Sequence, residues 1–442
     1  MKSMFLQSCS AVMATVALAA VTGCTQGPDR PAAAQQTPAE ALPGPTRVAH
    51  DPPEKFDLQG GVRMPWEASS GLISVGGTWL ARKKIPVALH RETAYVATPD
   101  RVLAFDTTKG VVKNVIRPES EPLTELAPDN RNGAAPPVVT EGSTPLMLAS
   151  FLVRQPGEGT KAARDLIEVV AADAGTGKLT WRLPLTMPEG AMEGMDPSVV
   201  SVVGASGHVA VVTVSSDDNV IYSASTTYGI DLRTHRLLWT RDEFQASAVT
   251  EGIVTGEVRN EPSDDYSSAA GYDLATGTER WRGPERLNLD LHPAGPHLVQ
   301  ARARDKSDSN IRYEQFLDPK TGAVKKNVSK TATGANCDHD GARTVVCGIG
   351  GSESPVTAFD AVSGATLWQL PDANAGRIAP RVTAVWHGRV YGETDDGALS
   401  LDARTGADVP TRPGIAPDLV NEYTGVALSP STDELTAYPT IS

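Results

Sequence analysis

The chain has 442 residues, of which 40% are hydrophobic and 5% aromatic, and its formal net charge is −13. This acidic balance argues against a nucleic-acid partner, because phosphate binding needs a basic face and the sequence shows none. The 40 glycines and 33 prolines are typical of a fold in which many short strands need many turns.

Residues 1–23 are predicted to be a lipoprotein signal peptide. Lys2 gives a short basic start, and the apolar run at residues 11–21 is too short to span a membrane. The quartet Val-Thr-Gly-Cys at residues 21–24 resembles the bacterial lipobox, in which the cysteine is acylated and becomes the first residue of the mature protein. We therefore predict that Cys24 carries lipid, palmitate included, and anchors the protein to the outer face of the cytoplasmic membrane. An ordinary secretory cleavage site is the alternative.

Residues 24–55 are predicted to form a tether. They are rich in alanine and carry prolines throughout, at Pro28, Pro31, Pro38, Pro43, Pro45, Pro52 and Pro53. A segment of this composition cannot bury enough apolar surface to fold, so we expect an extended, disordered linker. The folded domain is then residues 56–442.

One pattern of turn and tryptophan recurs along this domain. An aspartate ends a strand, a tight turn follows, and a tryptophan stands eight residues after the aspartate. The complete copies are Asp173 with Trp181, Asp231 with Trp239, Asp273 with Trp281, and Asp360 with Trp368. Further turns keep the aspartate and glycine without the tryptophan: Asp106 to Gly110, Asp318 to Gly322, and Asp402 to Gly406. In such turns aspartate accepts backbone hydrogen bonds and glycine supplies a positive φ.

The spacing of these turns predicts a β-propeller. The last four intervals between the aspartates are 42, 45, 42 and 42 residues, the length of a four-stranded blade. The two earlier intervals are longer and place insertions near residues 119–137 and 186–197, where a partner surface is expected. Residues 425–429 and 434–438 resemble strands of a last blade, which a segment near residues 61–67 is expected to complete. We therefore predict an all-β fold with a single propeller of eight four-stranded blades; seven blades are the alternative.

Two cysteines remain in the domain, Cys337 and Cys347. They are symmetric about Ala342, so a hairpin centred there would place them opposite each other on adjacent strands. In an exported protein this arrangement predicts a disulfide. Two free buried thiols are one alternative. A metal site in the run of residues 337–340 is another, although no second ligand cluster accompanies it.

The repeats resemble the PQQ-like repeat, in which a strand, an aspartate turn and a tryptophan-bearing strand follow each other. The matching segments run from Ile230 to Trp239, Tyr272 to Trp281 and Phe359 to Trp368. The resemblance implies a propeller, and it covers two groups of proteins. Quinoprotein dehydrogenases bind pyrroloquinoline quinone (PQQ), usually with Ca²⁺ and often beside a pair of adjacent cysteines. The other group has no cofactor and includes a lipoprotein of the outer-membrane β-barrel assembly machinery.

This sequence is closer to the cofactor-free group, because it has no adjacent cysteine pair and no recognisable set of calcium ligands. The repeat tryptophans are expected to pack between blades rather than to hold a cofactor. We find no phosphate-binding loop, metalloprotease spacing or nucleophile elbow. We expect a monomeric, non-catalytic binding module for a protein, peptide or envelope component, without cofactor or catalytic residues. A small PQQ- and Ca²⁺-dependent dehydrogenase is the alternative.

Overall fold

The structure is a computed structural model that describes residues 47–69, 85–123, 135–142, 144–188, 199–215, 225–259, 266–328, 336–349, 355–429 and 434–442. The predicted signal peptide, Cys24 and most of the tether lie outside these ranges, as do most of the two insertions. Within them, regular structure is β-strand apart from one 3₁₀ turn, Trp66–Ala68. No helix in the described ranges has the length and apolar character needed to cross a membrane.

The described strands form six sheets, and two of these have seven strands that we divide into two antiparallel units each, which gives eight units numbered here in chain order. Two short strands come first, β1 (Lys55–Phe56) and β2 (Val62–Arg63). Unit 1 contains β3 (Val87–His90), β4 (Thr93–Ala97), β5 (Val102–Asp106) and β6 (Val111–Ile116). Unit 2 contains β7 (Glu121–Pro122), β8 (Val138–Glu141), β9 (Thr144–Gln155), β10 (Arg164–Asp173) and β11 (Leu179–Thr186). Unit 3 contains β12 (Val199–Ser206), β13 (Val209–Ser215), β14 (Ser225–Asp231) and β15 (Arg236–Asp242).

Unit 4 contains β16 (Phe244–Thr250), β17 (Ile253–Arg259), β18 (Tyr266–Asp273) and the first part of β19 (Glu279–Pro293). Unit 5 contains the rest of β19, then β20 (Val299–Arg304), β21 (Arg312–Leu317) and β22 (Val324–Asn327). Unit 6 contains β23 (Asn336–His339), β24 (Thr344–Ile349), β25 (Val356–Asp360) and β26 (Thr366–Leu370). Unit 7 contains β27 (Arg381–Trp386), β28 (Arg389–Thr394) and β29 (Gly397–Asp402). Unit 8 contains β30 (Leu419–Val420), β31 (Thr424–Leu428) and β32 (Leu435–Ile441).

Unit 8 is completed by the N-terminal strands. Lys55 of β1 pairs with Ile441, and Val62 of β2 pairs with Ala437, both antiparallel to β32. The segment expected to return near residues 61–67 is therefore β2, and β1 precedes it. Trp66 of that segment does not fill the unit, since it is 69% exposed. Pairing the first strands with the last one removes a free edge.

The core of the described residues contains eight apolar clusters, and each one joins two neighbouring units. The cluster around Leu148 and Ile230 joins units 2 and 3, for example, and the cluster around Phe105 and Val426 joins unit 8 to unit 1. Blades bury both of their surfaces in this way, which is why middle strands such as β14 are buried along their whole length. The all-β, propeller-type fold predicted from the repeats is confirmed. The eight-bladed ring stays a prediction, and the eight seams support it.

Each unit has two ends, which define two faces of the domain. Because successive strands are antiparallel, each aspartate turn lies at the same end as the hairpin two connections earlier in the chain, such as β8–β9 in unit 2 and β27–β28 in unit 7. We call this end the turn face, since it carries the aspartate turns. The connections that lead into the aspartate-ending strands, such as β20–β21, form the opposite loop face.

Asp51, which we expected to belong to the tether, lies on the turn face of unit 7. The Asp51 carboxylate accepts a hydrogen bond from Trp386 Nε1 at 2.9 Å, and one of its oxygens lies 2.6 Å from His387 Nδ1. The compact domain accordingly begins at Arg47 rather than at Phe56. Composition alone could not reveal this, because the partners of the proline-rich segment lie more than 300 residues away.

The hairpin between β23 and β24 holds a partly buried histidine, His339. Its Nδ1 accepts a hydrogen bond from the Gly341 amide at 3.1 Å, while Nε2 is buried and has no hydrogen-bond partner among the described residues. Burial lowers the pKa of His339 from its ordinary value of 6.5, while the Asp340 carboxylate acts in the opposite direction and His297 acts with burial. The folded state therefore favours the neutral imidazole.

We predict that acid destabilises the domain through His339. The unfolded chain takes up this proton near pH 6.5 and the folded chain only at lower pH, so stability is lost as the pH falls below 6.5. Melting temperatures of the wild type should fall between pH 7.5 and 5.5, and His339→Gln should fall less steeply. His90, whose pKa burial also lowers, is expected to account for part of the remaining slope. An unchanged slope in His339→Gln would contradict the prediction.

Candidate functional site

The aspartate turns are held by the hydrogen bonds that the sequence predicts. Asp273 Oδ1 accepts the amide of Ala275 at 3.1 Å and that of Thr276 at 2.9 Å. Gly277 closes the turn with φ of 64°. A hydrogen bond from Arg280, followed by those from Thr276, holds the pKa of Asp273 below its usual value. The Asp273 carboxylate accepts hydrogen bonds from its own turn, so its role is structural.

Three of the repeat tryptophans follow one rule at the seams between units. Each indole N–H donates a hydrogen bond to a backbone carbonyl in the aspartate turn of the following unit. The acceptor is the carbonyl of the residue directly after that aspartate. The pairs are Trp239 with Leu274 at 2.8 Å, Trp281 with Pro319 at 2.9 Å and Trp368 with Ala403 at 2.9 Å. The indole also packs on the turn glycine, where an added Cβ would lie 2.4–2.7 Å from a ring atom: Gly277, Gly322 and Gly406. Glycine is thus required for its positive φ and for the close approach of the ring.

The seam between units 2 and 3 breaks this rule. His235 stands where the other turns have glycine, and it keeps the left-handed conformation with φ of 52°. Its imidazole stacks on the Trp181 indole with ring centres 4.8 Å apart and planes 25° apart. Trp181 Nε1 is buried without a hydrogen-bond partner among the described residues. The larger side chain therefore replaces a close ring-on-backbone contact with a ring-on-ring contact, and the indole loses its acceptor.

A cavity of about 760 Å³ opens on the turn face of this same seam. Its walls come from the β8–β9 hairpin, from β11, from the β12–β13 hairpin and from the turn after β14. The lining residues are Thr140, Glu141, Gly142, Thr144, Leu146, Thr180, Trp181, Gly207, His208 and Arg233. The volume is within the range of small-molecule and short-peptide sites, and an aromatic wall with a few polar groups is typical of them.

The charged groups of the cavity are not paired with one another. Within the described ranges the side chains of Glu141 and His208 form no hydrogen bond or ion pair, and Arg233 has only a distant contact with Asp231 at 3.7 Å. The Arg233 side chain is 62% exposed. Within the described ranges Glu141 and His208 are therefore free to meet a ligand, and Arg233, in an ion pair with Asp231 at 3.7 Å, keeps further guanidinium N–H groups for one.

The structure places the sequence-predicted residues as follows. Trp239, Trp281 and Trp368 pack between units, while Trp181 alone of the four borders the cavity. Cys337 and Cys347 lie opposite each other in unit 6, with sulfurs 1.99 Å apart. Cys24 lies outside the described residues. No group of three or more His, Cys, Asp or Glu side chains that could hold a metal occurs among the residues described.

Sequence reasoning did not single out Glu141, His208 or Arg233, because hairpin residues of this kind carry no motif. The sequence nevertheless contains one feature that distinguishes the seam between units 2 and 3. The turn from Asp231 ends in His235 where the other six end in glycine, and that exception marks the cavity.

Comparison with known proteins gives a family match and several structural matches. The model of a family described as outer membrane protein assembly factor BamB matches residues 66–283. BamB from Moraxella catarrhalis is 14% identical, with 80% of this chain and 95% of that chain covered and a TM-score of 0.43. Dihydro-heme d1 dehydrogenase NirN is 15% identical over 85% of this chain and 76% of that chain, with a TM-score of 0.45.

A quinohemoprotein alcohol dehydrogenase from Comamonas testosteroni is 12% identical, with 80% of this chain and 73% of that chain covered and a TM-score of 0.41. No curated protein sequence matches the chain. These identities do not transfer an activity from one protein to another.

Proposed function

Because the chain is a β-propeller with PQQ-like repeats, we propose that it is a non-catalytic module that binds a protein, peptide or envelope component. We further propose that an acylated Cys24 holds it on the outer face of the cytoplasmic membrane and that it acts as a monomer. The observation that carries the binding role is the seam between units 2 and 3. There the tryptophan packing of the other seams is absent, and the cavity is lined by charged groups that are not paired with one another, Glu141 and Arg233.

Two further features support the proposal. The matching family model is described by a role in protein assembly, which is a role exercised on other proteins. A propeller also presents its connections as a rigid rim, so a partner meets a preorganised surface and little conformational entropy is lost on binding.

The anchor is tested by replacing Cys24. We expect Cys24→Ser to abolish metabolic palmitate labelling and to move the protein from the membrane fraction to the soluble fraction. Cys9→Ser is the matched control, because Cys9 lies within the predicted signal peptide and should leave both readouts unchanged. Membrane association that survives Cys24→Ser would refute the lipid anchor.

The binding role is tested by photocrosslinking of the full-length protein in its own cells. A photoreactive phenylalanine analogue at Thr140, at the cavity, should crosslink one defined protein, and the same group at exposed Asp308 on the loop face should not. The purified partner should then bind the wild type and lose affinity at least tenfold for Arg233→Glu. Saturable one-to-one binding of PQQ with Ca²⁺, followed by native mass spectrometry and absorbance, would instead favour a dehydrogenase.

A further inference from the structure

The seam between units 2 and 3 holds two energetically unfavourable features side by side. His235 is a non-glycine residue with a left-handed backbone, which L-residues adopt at a cost. Trp181 Nε1 is a buried donor without an acceptor among the described residues, whereas the three equivalent indoles of the other repeats have one. A glycine at position 235 would relieve the backbone and allow the usual contact. Such departures from a repeat's own rule are typical of functional sites.

The charges that line the cavity limit what it can bind. Glu141 and Arg233 have opposite signs and are not paired with each other, so the complementary ligand carries both an ammonium and a carboxylate group. A ligand with only negative groups would be repelled by Glu141, and one with only positive groups would be repelled by Arg233. His208 adds a second polar contact.

The remaining lining residues limit the chemistry of the part of the ligand between its two charged groups. Trp181 and Leu146 offer an apolar surface, while the hydroxyls of Thr140 and Thr144 offer hydrogen bonds. Gly142 faces open space, because an added Cβ there would meet no atom within 4 Å. An apolar side chain flanked by peptide groups suits this mixture of surfaces.

We propose that the cavity binds a short zwitterionic peptide, with a free amino group, a free carboxylate and an apolar side chain between them. Arg233 binds the carboxylate, Glu141 binds the ammonium group and Trp181 packs on the side chain. This inference rests on the proposed binding role and names the class of ligand. His235 is a positioning residue, since it holds the Trp181 ring at the cavity wall by stacking.

The test is isothermal titration calorimetry of the lipid-free full domain with the tripeptide Ala-Leu-Ala. We expect the peptide with free ends to bind, and its N-acetylated and C-amidated forms to bind at least tenfold more weakly. Arg233→Gln should bind the amidated and free-carboxylate forms equally well, and Glu141→Gln should do the same for the acetylated and free-amine forms. Equal affinity of the wild type for the free and capped peptides, or no binding of any of them, would overturn the proposal.

A second pair of variants separates binding from structure. His235→Gly should raise the melting temperature and weaken peptide binding, because the backbone relaxes and the indole moves onto the glycine. Asn288→Gly is the control, since Asn288 also has a positive φ, of 49°, but does not line the cavity. It should raise the melting temperature without changing affinity. Unchanged peptide affinity in His235→Gly would refute the positioning role.

The two proposals fail in different ways. If a protein partner crosslinks at Thr140 but no tripeptide binds, the ligand class is wrong and the binding module stands. If the tripeptide binds as expected but no partner crosslinks, the binding module stands with a peptide as its ligand, and a protein partner at the cavity is ruled out.

Discussion

Replacing Phe56 with alanine is expected to lower the free energy of unfolding by about 3–5 kcal/mol. The Phe56 ring is 3% exposed and lies in the seam between units 7 and 8, with its centre 6.0 Å from that of Tyr391. Gly425 leaves room for it, since a Cβ there would lie 2.4 Å from the ring. Alanine would leave a cavity at the point where the first strand joins the last unit. Urea denaturation followed by tryptophan fluorescence measures the loss.

The matched control lies two residues further along the same segment. Leu58 is 53% exposed, so Leu58→Ala should change the free energy of unfolding by less than about 0.5 kcal/mol. If both variants lost the same stability, the effect would come from the segment's composition rather than from burial of the ring. If neither lost stability, closure of the domain by β1 would not contribute to folding.

The architecture could be predicted because the repeat encodes its own contacts. An aspartate that accepts turn amides, a glycine with positive φ and an indole that needs an acceptor together specify a turn, a strand and a seam. The return of an N-terminal strand could be expected because the last strands of the chain lacked a neighbour. Docking of residues 47–55 could not be predicted, since local composition indicates disorder. The Pro53 carbonyl, for example, accepts a hydrogen bond from the distant Tyr391 at 2.6 Å.

The candidate site was less accessible to sequence reasoning, for a physical reason. A cavity forms where side chains from separate hairpins fail to fill a seam, and no local pattern records how Glu141, Trp181 and Arg233 come together. The only local indication of the site in the sequence is His235, which occupies the position that glycine has in the other turns. A departure from a repeat is informative because the regular copies show what the same backbone does elsewhere.

The disulfide is expected to have the second largest effect on stability. Cys337 and Cys347 are directly opposed on β23 and β24, with Cα atoms 4.0 Å apart, and both are buried in the seam between units 5 and 6. Their bond closes a loop with a sequence separation of 10, for which a crosslink contributes about 2–3 kcal/mol. The double variant Cys337→Ala, Cys347→Ala should lose about this amount in urea denaturation.

Reduction of the wild type separates the bond from the packing of the two side chains. Wild-type protein unfolded and refolded in reductant keeps both sulfurs, so it should lose most of the stability that the alanine variant loses. The two free thiols of the reduced protein fill nearly the same space in the seam as the disulfide. The remaining difference in free energy of unfolding between the reduced protein and the double alanine variant then measures the contribution of burying the sulfurs. Intact mass after alkylation of the native-purified protein should show no modified Cys337 or Cys347. Two alkylated thiols at these positions, with no change on reduction, would refute the disulfide and assign the pair to core packing alone.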